Sequence, residues 1–410
     1  MMMLRTKRLS TAAMTMALVF LGGCEEPQQA SQVRLEPLTV PAQGETFAPQ
    51  LFAVDGRISL SWLERAGDEH ALRYSRWQDD GWSEATTVRS GSDWFANWAD
   101  LPGVRPLSDG RWLAWWLQKS GEGTYAYDVQ LAFSDNGNDW RTAGTPHDDG
   151  TQTEHGFVTA FELPDRKVAL AWLDGRNTVG GAGHGHHGTG GMTLRYGILD
   201  ADGRKVDEAE IDTLTCDCCQ TDSAVAGDAI VLAYRDRTEE EIRDIQVTRY
   251  TGGEWSEPVR VSADEWKIDG CPVNGPAIAA DGDLIAVAWF TAPTGKGEVR
   301  VAFSDDGGRT FAPHARVDDG QPQGRVDLVL DSGRALVSWV EQGQSGAEVR
   351  LRSIERGGKP DESITLVETD AGRAAGFPRM ALLEDGSLLL TWTQAGGAAR
   401  EMRSARVHLQ

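Results

Sequence analysis

The sequence predicts an all-β protein, a β-propeller of seven four-stranded antiparallel blades. Three observations support this prediction. A unit of a turn followed by a strand recurs along the chain, the apolar runs have the length and period of strands, and no segment has the period of a long amphipathic helix. A six-bladed ring is the alternative, in case one of the repeats is degenerate.

Each repeat consists of a turn, an apolar run and an aromatic residue. Asp55-Gly56 precedes the first run and Ser332-Gly333 precedes the sixth, and Gly supports the positive φ that such hairpin turns need. Spacings of 54, 56, 62, 55, 50 and 53 residues separate the aromatic residues Trp62, Trp116, Trp172, Tyr234, Trp289, Trp339 and Trp392. A period of about 50 residues is typical of one propeller blade.

The two ends of the chain are predicted to form one blade together. The seventh repeat stops at Gln410 after three strands, and the strand-like segment 33–40 precedes the first repeat without a partner. We expect this N-terminal strand to complete the last blade and close the ring, because closure removes exposed sheet edges.

The N-terminus has the features of an export signal. Arg5, Lys7 and Arg8 precede a short apolar run, and Leu21-Gly22-Gly23-Cys24 resembles the lipobox of bacterial lipoproteins. The predicted organisation is a signal peptide at 1–23, lipidated Cys24 with a polar tether to residue 32, and a propeller at 33–410. We expect the protein in the bacterial cell envelope, anchored by its lipid to the outer membrane on the periplasmic or surface side.

The composition excludes some partners. The net charge of -22 at pH 7 argues against nucleic acid and against an anionic membrane surface as binding partners. It fits a soluble domain, which we expect to be a monomer. No stretch after the signal approaches the length of a membrane span.

One segment carries a family resemblance. Residues 304–311 (SDDGGRTF) resemble the Asp-box of sialidase-like propellers with BNR repeats, and the motif residues are Ser304, Asp306, Gly308, Thr310 and Phe311. A short Asp side chain there satisfies backbone N–H groups of a turn, and the aromatic ring packs between sheets. The resemblance implies that this turn is structural and lies on the face away from the active site.

The resemblance also implies a set of catalytic groups that the chain matches poorly. Sialidases use three arginines for the substrate carboxylate, a Tyr nucleophile paired with Glu, and an Asp acid/base. The arginine motif is missing from the first repeat, and Val104-Arg105-Pro106-Leu107 in the second repeat resembles it only weakly. The nucleophile of sialidases comes from the C-terminal blades, whereas the last tyrosine of this chain is Tyr250. Arg325 and Arg379 are candidate pocket arginines, and the catalytic residues stay unknown.

The loops of one face carry the metal-binding residue types. If the four strands of a blade are labelled A to D in chain order, the connections D–A and B–C emerge on the same side. Such connections hold His155, the glycine-rich loop with His184, His186 and His187, the cluster Cys216, Cys218 and Cys219, and Cys271. Two disulfides, one of them joining Cys271 to the cluster, are one interpretation for an exported protein. Copper or zinc bound by thiolate and imidazole, with Met192 as a thioether ligand, is another. The remaining interpretations are a mixed case, with one disulfide and the other thiols and His residues as metal ligands, and a His loop that is merely solvated.

Other loop residues on this face are candidates for ligand binding. Trp94 and Trp98 could stack on a sugar or pack between blades, and Arg235, Asp236 and Arg237 could orient a polar ligand or form a solvated charged patch. The leading hypothesis is therefore an envelope lipoprotein that acts as a binding or metal-handling module. The alternative is an exo-sialidase-like glycoside hydrolase or a carbohydrate-binding protein.

Overall fold

The computed structural model describes residues 33–178, 190–344, 346–397 and 399–409. These residues form a β-propeller of seven antiparallel sheets, which confirms the predicted fold class and excludes the six-bladed alternative. The helical segments among them are two single 3-10 turns, Arg176–Thr178 and Arg373–Ala375. No helix in the described ranges is long and apolar enough to cross a membrane.

Blades 1 to 6 follow one another along the chain, each from its innermost to its outermost strand. The strands up to the third blade are β1 (Val33–Leu38), β2 (Glu45–Val54), β3 (Arg57–Ala66), β4 (Glu69–Gln78), β5 (Gly81–Trp82), β6 (Thr86–Gly91), β7 (Gly103–Pro106), β8 (Trp112–Lys119), β9 (Tyr127–Ser134), β10 (Arg141–Gly144), β11 (His155–Leu163), β12 (Lys167–Asp174), β13 (Thr193–Leu199) and β14 (Lys205–Asp212). Strands β2–β6 form blade 1, β7–β10 form blade 2 and β11–β14 form blade 3.

The remaining blades repeat this arrangement. Their strands are β15 (Asp222–Ala226), β16 (Ala229–Arg235), β17 (Ile245–Thr251), β18 (Glu254–Trp255), β19 (Val259–Arg260), β20 (Ala277–Asp281), β21 (Leu284–Thr291), β22 (Glu298–Ser304), β23 (Ala315–Arg316), β24 (Pro322–Asp331), β25 (Arg334–Gln342), β26 (Ala347–Glu355), β27 (Ile364–Thr369), β28 (Arg379–Leu382), β29 (Leu388–Gln394) and β30 (Glu401–Leu409). Blade 4 uses β15–β19, blade 5 uses β20–β23 and blade 6 uses β24–β27. In blades 1 and 4 the outermost strand is split into two short pieces.

The N-terminal strand closes the ring, as predicted. Blade 7 has the order β28-β29-β30-β1, and β1 pairs antiparallel with β30 from Val33 opposite Leu409 to Leu38 opposite Ser404. The innermost strand β2 contacts both β7 and β28, so blade 1 joins its two neighbours around the axis. The edge strand of the seventh repeat is therefore paired rather than exposed.

The repeated aromatic residues lie on the second strand of each blade. Trp62, Trp172, Trp289 and Trp339 are completely buried there. Both faces of such a strand are covered by neighbouring blades, which explains why these runs are apolar throughout rather than alternating. Packing between blades therefore accounts for the repeat that was visible in the sequence.

The turn at 304–311 has the hydrogen bonds expected of a structural loop. The carboxylate of Asp306 accepts backbone N–H groups from Arg309 at 3.0 Å and Thr310 at 2.9 Å, and Ser304 Oγ donates to it at 2.8 Å. Burial alone would raise the pKa of Asp306, but these bonds lower it to about 2. The turn joins β22 to β23, on the side of the blade opposite the D–A connections.

Candidate functional site

The D–A and B–C connections of blades 3 and 4 contact one another on one face. Gly175 N donates to Glu154 O at 2.7 Å, and Thr215 N donates to Met192 O at 2.8 Å. The structure thus brings His155, Met192 and the cysteine cluster to the same side, as their positions in the repeats predicted. His184, His186 and His187 lie outside the described residues.

The four cysteines of the propeller form one cluster. Cys218 and Cys271 are joined in a disulfide across blades 4 and 5. Cys216 and Cys219 are free thiols, 0% and 2% exposed, with 3.3 Å between their sulfur atoms. The structure therefore contains one disulfide, which joins Cys271 to the cluster, rather than the two of the first interpretation. Met192 is buried in the same apolar cluster as Cys218.

A buried arginine stabilises the thiolate of Cys216. Arg243 is 1% exposed, and its Nη1 lies 3.3 Å from Cys216 Sγ. Burial alone would raise the pKa of Cys216, but the hydrogen bond from Cys219 and the charges of Arg243 and Arg235 lower it to about 6. The pair therefore consists of a thiolate and a thiol at neutral pH, with the pKa of Cys219 raised.

The charged patch at 235–237 is occupied by contacts within the protein. The guanidinium of Arg235 donates to the carbonyl oxygens of Asn274 at 2.9 Å, Arg243 at 2.6 Å and Phe290 at 2.6 Å. Asp236 accepts a hydrogen bond from Gln246, and Arg237 pairs with Asp217 and Glu241. Arg235 thus joins blade 4 to blade 5, and Arg237 fixes the cysteine-bearing loop through Asp217.

Trp94 and Trp98 lie in the same D–A connection but differ in their surroundings. Trp94 is buried and stacks on Trp116, with 5.8 Å between ring centres. Trp98 is half-buried and stacks on Phe377 at 5.8 Å. Its ring is also contacted by two arginines, with the Cζ of Arg325 at 5.4 Å and of Arg373 at 5.8 Å from the ring centre.

Arg325 is a buried arginine whose guanidinium is not fully hydrogen-bonded. It is 7% exposed, and its Nη1 has no hydrogen-bond partner among the residues that the structure describes. Its backbone adopts a left-handed conformation with φ of 55°, held by the side-chain oxygen of Asn274, which accepts from Arg325 N at 2.7 Å. Burial and the charge of Arg373 lower the pKa of Arg325 to about 10, although Asp370 opposes this shift.

Further charged side chains belong to the innermost strands. Arg379 donates to Gln50 Oε1 at 2.9 Å and lies 3.6 Å from Asp327 Oδ1. The Nε of Arg105 is buried and, in the described part of the chain, has no hydrogen-bond partner. Burial raises the pKa of Asp327 to about 6, against the charge of Arg379. All three arginines noted in the sequence thus lie on innermost strands.

A tyrosine and two carboxyl groups form a buried cluster that the sequence did not reveal. Tyr127 Oη lies 2.8 Å from Asp100 Oδ2 and 2.7 Å from Glu154 Oε1. Burial raises the pKa of Asp100 to about 7 and that of Glu154 to about 8. Gly156 permits this contact, because a Cβ there would lie 1.8 Å from Asp100 Oδ2. Asp100 and Trp98 belong to the same loop.

The chain is similar to known proteins in its fold. No protein-family model and no curated protein matches the sequence. Among solved structures, the chain is similar to an ulvan lyase of polysaccharide lyase family PL25, bound to -[GlcA(1-4)Rha3S]-, with a TM-score of 0.56 and 12% identity over 90% of this chain and 95% of that one. The BP39L lectin from Burkholderia pseudomallei matches with a TM-score of 0.56 and 11% identity, over 87% of this chain and 97% of the lectin.

A third structure of the same shape is a protein of unknown function from Dyadobacter fermentans, with a TM-score of 0.53 and 13% identity. It covers 92% of this chain and 99% of its own. At such identities these likenesses show the fold alone. They agree with the seven blades seen here, and any function has to come from this chain's own residues.

Proposed function

We propose that this protein is a cell-envelope lipoprotein whose propeller binds an acidic glycan on the face of its D–A and B–C connections. The single observation that carries the proposal is Arg325, a buried guanidinium whose Nη1 has no hydrogen-bond partner in the described ranges. A carboxylate or sulfate of a ligand would supply the missing acceptor.

The energetics favour a ligand at this position. A buried cation without a paired anion is destabilising by several kcal/mol, and a protein retains one where its function requires it. Left-handed backbone at a residue other than glycine is likewise concentrated at functional sites. Arg325 has both features, and arginine binds carboxylates in a bidentate geometry.

Neighbouring groups fit a charged sugar. Arg373 is exposed and adds a second cation beside Trp98, whose ring offers apolar contact to a sugar. The overall negative charge of the chain would repel an acidic polymer elsewhere, so recognition would depend on this local positive site. The ligand of the structurally similar ulvan lyase carries glucuronate, which is of the same chemical class.

A more specific form of this proposal is that the protein also cleaves the glycan that it binds. Cleavage of a glycosidic bond needs a carboxyl group that is protonated near neutral pH, and Glu154 has a pKa of about 8. An exo-sialidase-like hydrolase would need a proton donor together with arginines for the substrate carboxylate, and the donor here would be a Glu where sialidases use an Asp. Glu154 is the first candidate for the donor, with Tyr127 beside it.

Handling of copper or zinc by the thiols is a second candidate function. The observation that favours it is the pair Cys216 and Cys219, which lie 3.3 Å apart and hold a thiolate at neutral pH. Thiolates bind soft and borderline metals. Loss of metal uptake in the Cys216→Ser, Cys219→Ser double variant would support it, and unchanged uptake would refute it.

The envelope location rests on Cys24, which lies outside the described residues. Incorporation of a labelled fatty acid that is lost in Cys24→Ala would support lipidation. Fractionation of cells would then locate the protein, with the outer membrane as the expected fraction.

A panel of polysaccharides tests the glycan proposal. Purified protein is titrated with ulvan fragments, polygalacturonate, sialyllactose and neutral arabinan, and each mixture is also assayed for cleavage. We expect binding to at least one acidic glycan and none to arabinan. Equal binding to neutral and acidic glycans, or binding to none, would contradict the proposal.

A further inference from the structure

The four cysteines of the propeller differ in their access to solvent. Cys216, Cys219 and Cys218 are 0%, 2% and 6% exposed, whereas Cys271 is exposed. The disulfide between Cys218 and Cys271 therefore runs from the protein interior to its surface. The two free thiols lie on the interior side of this bond, where burial shields them from direct reaction with external reagents.

The buried thiols lie close to this disulfide. The sulfur atoms of Cys216, Cys218 and Cys271 all lie within 4.8 Å of one another, and Cys219 Sγ lies 3.3 Å from Cys216 Sγ. Disulfides exchange when a thiolate attacks one of their sulfur atoms, so the reaction requires such an approach. Cys216 and Cys219 also have the Cys-X-X-Cys spacing that is typical of redox-active pairs.

Cys216 is the sulfur best placed to attack. The Nη1 atom of Arg243, a residue only 1% exposed, lies 3.3 Å from Cys216 Sγ. Glu241 pairs with the other terminal nitrogen of this guanidinium at 2.7 Å and fixes its position. A positive charge beside the sulfur favours its anionic form, which is the form that attacks disulfides.

We propose that these four cysteines form a thiol–disulfide relay, through which the buried pair Cys216 and Cys219 reduces a small external disulfide at Cys271. The placement of the sulfur atoms carries the proposal. The buried thiols have no direct access to an oxidant, and the disulfide next to them connects them to the surface. The relay is independent of the glycan site at Arg325 and needs no metal ion.

Two exchanges within the protein carry electrons to the surface. In the first, the Cys216 thiolate attacks Cys218 Sγ, the Cys216–Cys218 bond forms, the Cys218–Cys271 bond breaks and Cys271 leaves as a thiolate. In the second, Cys219 gives up its proton and attacks Cys216 Sγ, the Cys216–Cys219 bond forms and Cys218 leaves as a thiolate. Cys271 takes up the equivalent of the released proton, so the buried pair is oxidised and the surface pair is reduced.

The reduced surface pair then reacts with the external disulfide. The thiolate of Cys271 attacks it and releases one half, after which Cys218 attacks Cys271 Sγ, restores the Cys218–Cys271 bond and releases the other half. Over the whole sequence, two electrons pass from Cys216 and Cys219 to the external disulfide. The external disulfide leaves as one thiol and one thiolate, because the buried pair carried one proton, and the protein ends with both pairs oxidised.

Ellman's reagent, an aromatic disulfide that releases a coloured thiolate, tests the relay in the native full chain with a chelator present. We expect the wild type to release both halves of one reagent molecule per chain and to retain neither. A peptide map should then show the pairs Cys216–Cys219 and Cys218–Cys271. The double variant Cys218→Ser, Cys271→Ser keeps the buried thiols but lacks the connection to the surface, so its release should be at least about tenfold slower.

The variant Cys219→Ser stops the relay after its first exchange. Incubation of this native variant with iodoacetamide should label Cys271 and leave a Cys216–Cys218 disulfide, by peptide mapping. Cys216→Ser is the matched control, since it also retains one buried thiol but lacks the attacking sulfur. Cys271 should stay unlabelled in the control, because a bond between the adjacent residues Cys218 and Cys219 would be strained.

Circular dichroism and thermal unfolding show whether each variant folds. The wild type tests the relay without any substitution, because its buried thiols should react with Ellman's reagent under native conditions. Failure of the native wild type to react overturns the proposal. It is also overturned if the folded double variant reacts as fast as the wild type, or if Cys271 stays unlabelled in folded Cys219→Ser.

Discussion

Tyr127 Oη lies 2.7 Å from Glu154 Oε1, in a buried contact where Asp100 faces the same hydroxyl at 2.8 Å. The hydroxyl has one hydrogen and can donate it to only one carboxylate. The second carboxyl group must therefore supply its own proton, which agrees with the raised pKa values of about 7 for Asp100 and about 8 for Glu154.

Stability should therefore fall as the pH rises from 5 to 8. The unfolded chain releases these protons near pH 4, whereas the folded chain holds them to about pH 7 and 8, so the folded state binds more protons in between. Glu154 alone should lower the free energy of unfolding by roughly 3 kcal/mol across this range. Urea unfolding at a series of pH values measures it.

The variant Glu154→Gln tests whether the ionisation of Glu154 causes this pH dependence of stability. It keeps an acceptor for Tyr127 but cannot ionise, so its stability should change less between pH 5 and 8 than that of the wild type. Glu254→Gln, at an exposed position on β18, should retain the wild-type slope. An identical slope in Glu154→Gln would show that Glu154 ionises normally.

The pairing of the cysteines predicts a labelling pattern. Protein denatured without reductant and treated with iodoacetamide should carry labels on Cys216 and Cys219 and none on Cys218 and Cys271, by peptide mapping. Treatment of the native protein with a mild oxidant before denaturation should join Cys216 to Cys219 and so prevent both labels, without changing the circular dichroism, since the two free sulfurs already lie 3.3 Å apart. A label on Cys271 before reduction would contradict the assigned disulfide.

The turn around Asp306 should affect stability and not binding. Asp306→Ala removes the acceptor for the N–H groups of Arg309 and Thr310 and should lower the free energy of unfolding by about 1–3 kcal/mol. Asp305→Ala, at an exposed neighbouring position, should change it by less than about 0.5 kcal/mol. Loss of glycan binding in folded Asp306→Ala would argue against a ligand site on the opposite face.

Substitution by glutamine should have different effects on the free energy of unfolding at two buried arginines. Arg235→Gln leaves carbonyl oxygens of three residues without their donor and should lower the free energy of unfolding by about 3–5 kcal/mol. Arg325→Gln removes a buried charge whose Nη1 is unpaired within the described chain, and should leave stability unchanged or slightly higher. Equal losses in both variants would mean that Arg325 is structural.

The fold was predictable because its signals are local. The aromatic residue of each second strand, such as Trp62 or Trp339, is buried by the neighbouring blades and so recurs once per blade. The pairing of β1 with β30 could be predicted because the last repeat lacks a fourth strand and the N-terminal strand has no partner in the first repeat. Neither inference required knowledge of side-chain contacts.

The candidate sites were less accessible to sequence reasoning. Four cysteines allow three pairings, and the path of the loops alone decides that Cys218 meets Cys271. Arg235 belongs to a charged run typical of a solvated face, yet it is buried among carbonyl groups. The sequence placed His155 on the same face as the cysteine cluster, but its neighbours His147 and Asp128 come from two segments that only the junction of blades 2 and 3 brings together.

Calorimetric titration with a glucuronate-containing oligosaccharide tests the central claim most directly. The wild type, Arg325→Gln and the control Arg89→Gln, an exposed arginine of β6, are each titrated with the oligosaccharide and with its carboxyl-reduced form. We predict that Arg325→Gln binds the acidic form at least tenfold more weakly, about 1.4 kcal/mol, and no longer distinguishes the two forms. Wild-type affinity in Arg325→Gln, or equal binding of both forms by the wild type, would contradict recognition of an acidic glycan by Arg325.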